Sequence, residues 1–130
     1  MEVIITQWAL DSYLDLLHKR VFTRDDYRKI LRPDAELLKQ YPTHQKFALS
    51  SFWSPAEIRG QRISGGFKMK WDSIGNGKVE LRLPIRIETV AHLCEAYVKK
   101  GNVEPRKLAK FKFHCELIQQ NRHTERGKLQ

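Results

Sequence analysis

The sequence predicts an α+β fold: an antiparallel β-sheet meander packed by N-terminal helices and a C-terminal helix, in the order β-α-α-β-β-β-α. Three observations predict it. Apolar residues recur at helical spacing through the first forty residues. The period then drops to two between Phe67 and Val98, and helical spacing returns after Pro105. Glycines gather where the period changes, with Gly60, Gly65, Gly66, Gly75 and Gly77 making five of the chain's seven. At 130 residues the length suits one compact domain. That domain is expected over 1–121, with 122–130 as a flexible tail lacking periodicity.

Val3-Ile4-Ile5-Thr6 reads as a first strand, β-branched and apolar. Leu10, Tyr13, Leu14, Leu17 and Val21 then form the stripe of an amphipathic helix, with Asp11, Ser12, Asp15 and Lys19 between them. Thr23 and Asp26 are spaced as a capping box, each side chain satisfying the other's backbone donor. Tyr27, Ile30 and Leu31 continue that second helix to Pro33, which lacks a donor and forces a kink or restart. Leu37, Leu38 and Tyr41 carry the stripe to Pro42. Residues 43–58 read as a short helix or turn closed by Pro55.

Phe67, Met69 and Trp71 alternate with Lys68, Lys70 and Asp72, and Asn76-Gly77 favours a turn with positive φ. The alternation resumes from Val79 to Ile87, with Lys78, Glu80, Arg82, Pro84, Arg86 and Glu88 on the polar side. The result is a hairpin with one oily and one basic face, and the helices are expected on the oily one. Val90 to Val98 is a third antiparallel strand. A last helix begins near Pro105, which suits a first turn, and Leu108, Phe111, Cys115 and Ile118 are its stripe.

The formal net charge is +9, and it is unevenly placed. Residues 1–52 hold 8 Lys and Arg against 7 Asp and Glu, whereas residues 53–130 hold 16 against 8. Clustered cations favour a polyanion partner through Coulomb attraction and counterion release, although a solvated basic surface has the same composition. No apolar run approaches the ~20 residues of a bilayer span, and the N-terminus lacks a secretory pattern, so no membrane partner and a cytoplasmic location are expected. Cys94 and Cys115 make no disulfide framework. His92-x-Cys94 and His114-Cys115 lack the spacing of a metal site, so no metal is expected, and no glycine-rich phosphate loop implies a small-molecule cofactor.

Leu93 to Ala109, LCEAYVKKGNVEPRKLA, resembles the HigB-type toxins of the RelE/ParE superfamily of type II toxin–antitoxin systems. In those toxins a final strand ends in aromatic-x-Lys-Lys and a Pro-initiated helix follows. The matching residues are Tyr97, Lys99, Lys100, Pro105, Leu108 and Ala109. Residues 43–66 stand as an insertion relative to that pattern. The resemblance implies a ribosome-dependent mRNA endonuclease, with a cognate antitoxin, the ribosome and its mRNA as partners. In that family a ribose 2′-hydroxyl attacks the adjacent phosphorus and no metal is needed.

Such chemistry requires cations against the developing charge, a group to remove the 2′ proton, and one to protonate the leaving 5′ oxygen. Arg82, Arg86, Tyr97 and His92 are the candidate catalytic residues. Lys68, Lys70, Lys99, Lys100, Arg59 and Arg62 are the candidate phosphate-binding residues, Lys99 and Lys100 pointing to different sides of their strand. Each has a plainer role open to it: a solvated strand face for the cations, core packing for Tyr97 on the face opposite His92, and a structural place for His92. Two other functions compete. A ParE-like toxin would inhibit DNA gyrase through protein contacts, and a basic domain could bind nucleic acid without catalysis.

Overall fold

The computed structural model describes residues 1–130 as a mixed α+β fold in three layers, N-terminal helices, a mostly antiparallel open sheet, and one C-terminal helix. Strand β1 (Val3–Thr6) leads into helix α1 (Gln7–His18), whose N-cap Thr6 accepts a hydrogen bond from the Ala9 amide. The Thr6 hydroxyl also donates to the Leu93 carbonyl at 2.6 Å, tying the helix start to the sheet. The most buried residues of α1 are Ala9, Ser12 and Leu16, a face rotated from the centre of the expected stripe; Tyr13, Leu17 and Val21 of that stripe pack half-buried against the core, and Leu14 is exposed. Small residues explain the rotation. Ser12 Oγ donates to the Ala9 carbonyl and accepts the Ala96 amide at 2.9 Å, a close approach no leucine would allow.

The Thr23–Asp26 capping box is present and opens a helical stretch: α2 (Arg24–Asp26), a π-turn (Tyr27–Leu31), α3 (Arg32–Glu36) and a 3₁₀ turn (Leu37–Gln40). The π-turn comes just before Pro33, where a missing amide and a ring clash disfavour a regular ladder. A second 3₁₀ turn (Gln45–Ala48) follows. Beyond it the expected short helix or turn is instead strand β2 (Trp53–Ile58). Pro55 is tolerated there because β2 is the sheet edge.

Strands β3 (Gln61–Ile74), β4 (Val79–Ile87), β5 (Ala91–Leu93) and β6 (Tyr97–Val98) follow, then helix α4 (Val103–Gln119) and strand β7 (Glu125–Lys128). The order is β2-β3-β4-β5-β1-β7, with β6 also on β4; only β1 and β5 are parallel. The β2–β3 loop is Arg59-Gly60, both at positive φ as a two-residue hairpin of this kind requires. In the β3–β4 loop positive φ falls on Gly75 and Lys78, not on Asn76-Gly77. Gly75 is fixed by its neighbour, since a Cβ there would lie 2.2 Å from the Val21 carbonyl oxygen. The residues beyond 121 are not a loose tail: β7 pairs with β1, and Leu129 is buried in the main core.

The expected third strand is two pieces, interrupted at 94–96. The interruption reverses the alternation, so His92 and Tyr97 face the same side rather than opposite ones. His92 is paired with Arg86 and Tyr97 with Arg82. The oily face carries Met69, Trp71, Leu81, Leu83 and Ile85 and packs against Ala9, Leu16, Leu31, Ala35 and Leu38 of the N-terminal helices. The other face is not open. Helix α4 lies on it through Leu108, Phe111, Cys115 and Ile118, which meet Ala56, Ile63 and Cys94. Gly66 permits that approach, because a Cβ there would sit 2.9 Å from the Phe111 ring. No helix is long and apolar enough to cross a membrane.

Candidate nucleic-acid interface

The cations expected on one basic hairpin face do share it, since Lys70 is paired with Arg82, Lys68 with Pro84, and Gly66 with Arg86. Their availability is the correction. Arg82, Arg86, His92 and Tyr97 are only 3–7% exposed. A final helix with an apolar stripe needs a surface to cover, and the oily face is already taken by the N-terminal helices. Arg82 bonds Asp72 at 3.0 Å and donates to the carbonyls of Trp71 and Leu81. Arg86 is paired with Glu88. Both guanidiniums are thereby neutralised within the fold.

The four expected catalytic residues also divide into two groups. At one end of the face, Tyr97 donates to Glu104 Oε2 at 2.6 Å, and Lys68 Nζ lies 3.3 Å from Glu104 Oε1. Burial pushes the Glu104 carboxyl up, but the Tyr97 hydrogen bond and the Lys68 ammonium outweigh it, and its pKa falls below the ordinary value. Tyr97 shifts the other way, raised by burial and by Glu104, so it stays a phenol. Lys70 donates to the Ser50 carbonyl at 2.8 Å, and burial with the charges of Lys68 and Arg82 lowers its pKa. Lys99 and Lys100 are exposed; Lys99 helps hold Glu104 ionised, whereas Lys100 lines a separate cleft with Glu95.

At the other end, His92 Nε2 is 3.4 Å from Glu125 Oε2. Burial lowers the His92 pKa more than Glu125 raises it. His114 is buried and stacked on Trp8 at 3.8 Å between ring centroids. Burial pushes its pKa down to about 4. Cys94 and Cys115 are free, buried thiols, and burial raises both, Cys115 to about 12. Neither is a nucleophile at neutral pH.

The accessible cations gather elsewhere. A groove of about 730 Å³ runs between the β2–β3 hairpin and α4, lined by Arg59, Arg62, Arg106 and Lys112 with Gln61 and Pro105. All four cations are exposed, and no carboxylate lines the groove. Arg62 meets Glu57 only at 3.8 Å. Lys107 and Lys110, by contrast, are both committed to Glu95 at 3.1 and 2.9 Å. The Arg59-Gly60 hairpin tip places one wall and α4 the other. Phe113, seven residues from Arg106 along the helix, is 55% exposed. Phe113 is not among the residues lining the groove, but it stands exposed on the helix that supplies Arg106 and Lys112 to it, and cations with exposed aromatic rings are the composition of single-strand nucleic-acid platforms.

Arg59 and Arg62 were legible as candidate phosphate ligands in the sequence. Arg106, Lys112, Phe113 and Glu104 were not singled out, although charged residues at helical spacing around Phe113 marked an outer face of α4. No family model, curated protein or solved structure matches this chain.

Proposed function

We propose that this protein binds single-stranded RNA in the groove between the β2–β3 hairpin and α4. The observation that carries the reading is the juxtaposition of four exposed cations with no carboxylate among the lining residues. Ions of one sign in a concave surface raise the local potential and attract a polyanion. The choice of RNA follows the resemblance of Leu93–Ala109 to the HigB-type segment. The test is fluorescence anisotropy with a short unstructured RNA over a salt series. Neutralising four phosphates gives a slope of log K against log salt near −2.8, about −0.7 for each single-strand contact. A slope near zero, or equal affinity for the same DNA sequence, overturns the reading.

A second reading is cleavage of ribosome-bound mRNA by a RelE/HigB-like toxin, held in check by a cognate antitoxin. The Glu104 cluster favours it. Glu104 directly precedes Pro105 and Arg106 of the groove, and it is an ionised carboxylate flanked by Lys68, with Lys70 nearby in the same charge cluster. In this reading Glu104 accepts the 2′-hydroxyl proton as the 2′ oxygen bonds to phosphorus. Lys70 protonates the 5′ oxygen as its bond to phosphorus breaks, leaving a cyclic phosphate and a 5′-hydroxyl. Lys68 offsets the developing charge. Primer extension on purified translating ribosomes tests it: the wild-type chain cuts the message and Glu104→Gln does not. Intact message with the wild type overturns it, and DNA breaks on expression would favour the gyrase-directed alternative.

A further inference from the structure

Three side chains that the RNA readings leave unused converge at the far end of the sheet face. His92 comes from β5, Glu125 from β7, and His123 from the turn between α4 and β7. His92 Nε2 and His123 Nε2 lie 3.4 and 2.9 Å from the same oxygen, Glu125 Oε2. All three potential ligand atoms are within 4.8 Å of one another. The imidazoles meet edge to face, 5.1 Å between centroids and 88° apart. Their side chains are 9% and 4% exposed, whereas the carboxylate is half exposed. Each ring's Nδ1 is buried without a partner, so Nε2 is the one atom of each that has something to bind.

Two buried imidazoles aimed at one carboxylate oxygen are an unusual way to pack a sheet end, because both rings turn the same nitrogen to a single acceptor while that carboxylate is half exposed. A cation makes sense of the geometry. Ligands held ~2.0–2.1 Å from a tetrahedral ion stand about 3.3 Å apart, which the His92–Glu125 pair already matches. The His123–Glu125 pair, at 2.9 Å, would open by a few tenths of an ångström, and the two Nε2 atoms, which lie within 4.8 Å of each other, would settle at the same spacing around a shared ion. Two imidazoles and a carboxylate form a donor set suited to zinc and its neighbours rather than to magnesium or calcium. We propose that His92, His123 and Glu125 bind a zinc-class divalent cation through three protein ligands, with a fourth position left for water. The ligands open on a polar cavity of about 370 Å³ that Arg86 and Glu88 also line.

The placement gives the ion work to do. Strand β1 lies between β5 and β7, so the three ligands bridge across it. The four-residue β7 has no other strand neighbour, and an ion would clasp it to the sheet from the side. This inference is independent of the RNA readings, which use the opposite half of the molecule.

The experiment is calorimetric titration of the chelator-treated full chain with zinc chloride alone, paralleled by visible absorption with cobalt(II). One ion per chain is expected, with Kd of about 1 µM or tighter and an intense tetrahedral cobalt spectrum. His123→Ala and Glu125→Gln should each weaken binding tenfold or more, whereas the exposed-residue control His18→Ala should not. Glu125 is half exposed, so Glu125→Gln tests the site even where a histidine variant fails to fold. No binding up to about 100 µM zinc, or binding kept within twofold in both ligand variants, overturns the proposal.

Discussion

The molecule holds two sets of cations and uses them in opposite ways. On the sheet, Arg82 and Arg86 lie under α4, each beside a carboxylate, and Arg82 also donates to two backbone carbonyls. In the groove, Arg59, Arg106 and Lys112 stand exposed with no carboxylate beside them. A buried guanidinium has lost its hydration and is held by its partners, so its charge is spent on the fold. An exposed one costs nothing to leave unpaired, and its charge remains free for a ligand. Density of Arg and Lys along a strand therefore does not locate a phosphate site. What covers the strand does.

The largest effect expected from this contrast is on stability. Arg82→Ala removes a buried cation and its bonds to Asp72, Trp71 and Leu81, and should cost about 2–3 kcal/mol in urea unfolding. RNA affinity should stay within twofold of wild type. Loss of binding at unchanged stability would return Arg82 to an open phosphate platform and break the comparison.

Helix α4 carries the same contrast around its own circumference, with His114 inside and Arg106 and Phe113 outside. His114 has an ordinary pKa of 6.5 and a folded value of about 4, lowered mainly by burial, with Lys110 lowering and Glu95 raising it. Between those values the unfolded chain binds a proton that the folded chain refuses. Stability is therefore full above pH 6.5 and falls on acidification towards pH 4, by about 2 kcal/mol or more. His114→Phe keeps a ring against Trp8 and should flatten that limb of the stability–pH curve. An unchanged limb would mean that His114 titrates as an exposed residue.

On the outer side, Arg106→Glu with Lys112→Glu reverses two groove charges at positions that a helix accepts readily. RNA affinity should fall at least tenfold at low salt, and the unfolding free energy should move by less than about 0.5 kcal/mol. Affinity unchanged by this pair would remove the groove from the argument altogether.

How much of this could be read from the chain follows from which forces are local. The capping box at Thr23 and Asp26, the hairpin of β3 and β4, and the α4 stripe were legible because each is set by residues a few positions apart. Strand β7 was not, since its exposed residues carry no pattern and its pairing to β1 joins the chain's two ends. The relative face of His92 and Tyr97 was lost at 94–96, where one irregularity reverses every later side chain. The candidate site fared likewise. Alternation correctly grouped Lys68, Lys70, Arg82 and Arg86, but period two says nothing about which helix will cover a face.

Glu104 stands at the border between the two cation sets, and the smallest expected effect is the one that tests the border. It reaches inward to Tyr97 and Lys68, while the next two residues of its helix line the groove. Its folded pKa lies below the ordinary 4.5, burial being outweighed by those two partners. The stability it contributes is therefore present above pH 4.5 and is lost as pH falls through the lower folded value. Glu104→Gln keeps the shape, weakens two charge-assisted contacts, and should cost about 1 kcal/mol at pH 7. The acid limb below pH 4.5 should shallow, while the His114 limb above it is unchanged. If groove affinity for RNA rises modestly as this negative charge is removed, Glu104 faces the ligand as well as the fold. If only stability moves, it belongs wholly to the buried set, and the cleavage reading loses its proton acceptor.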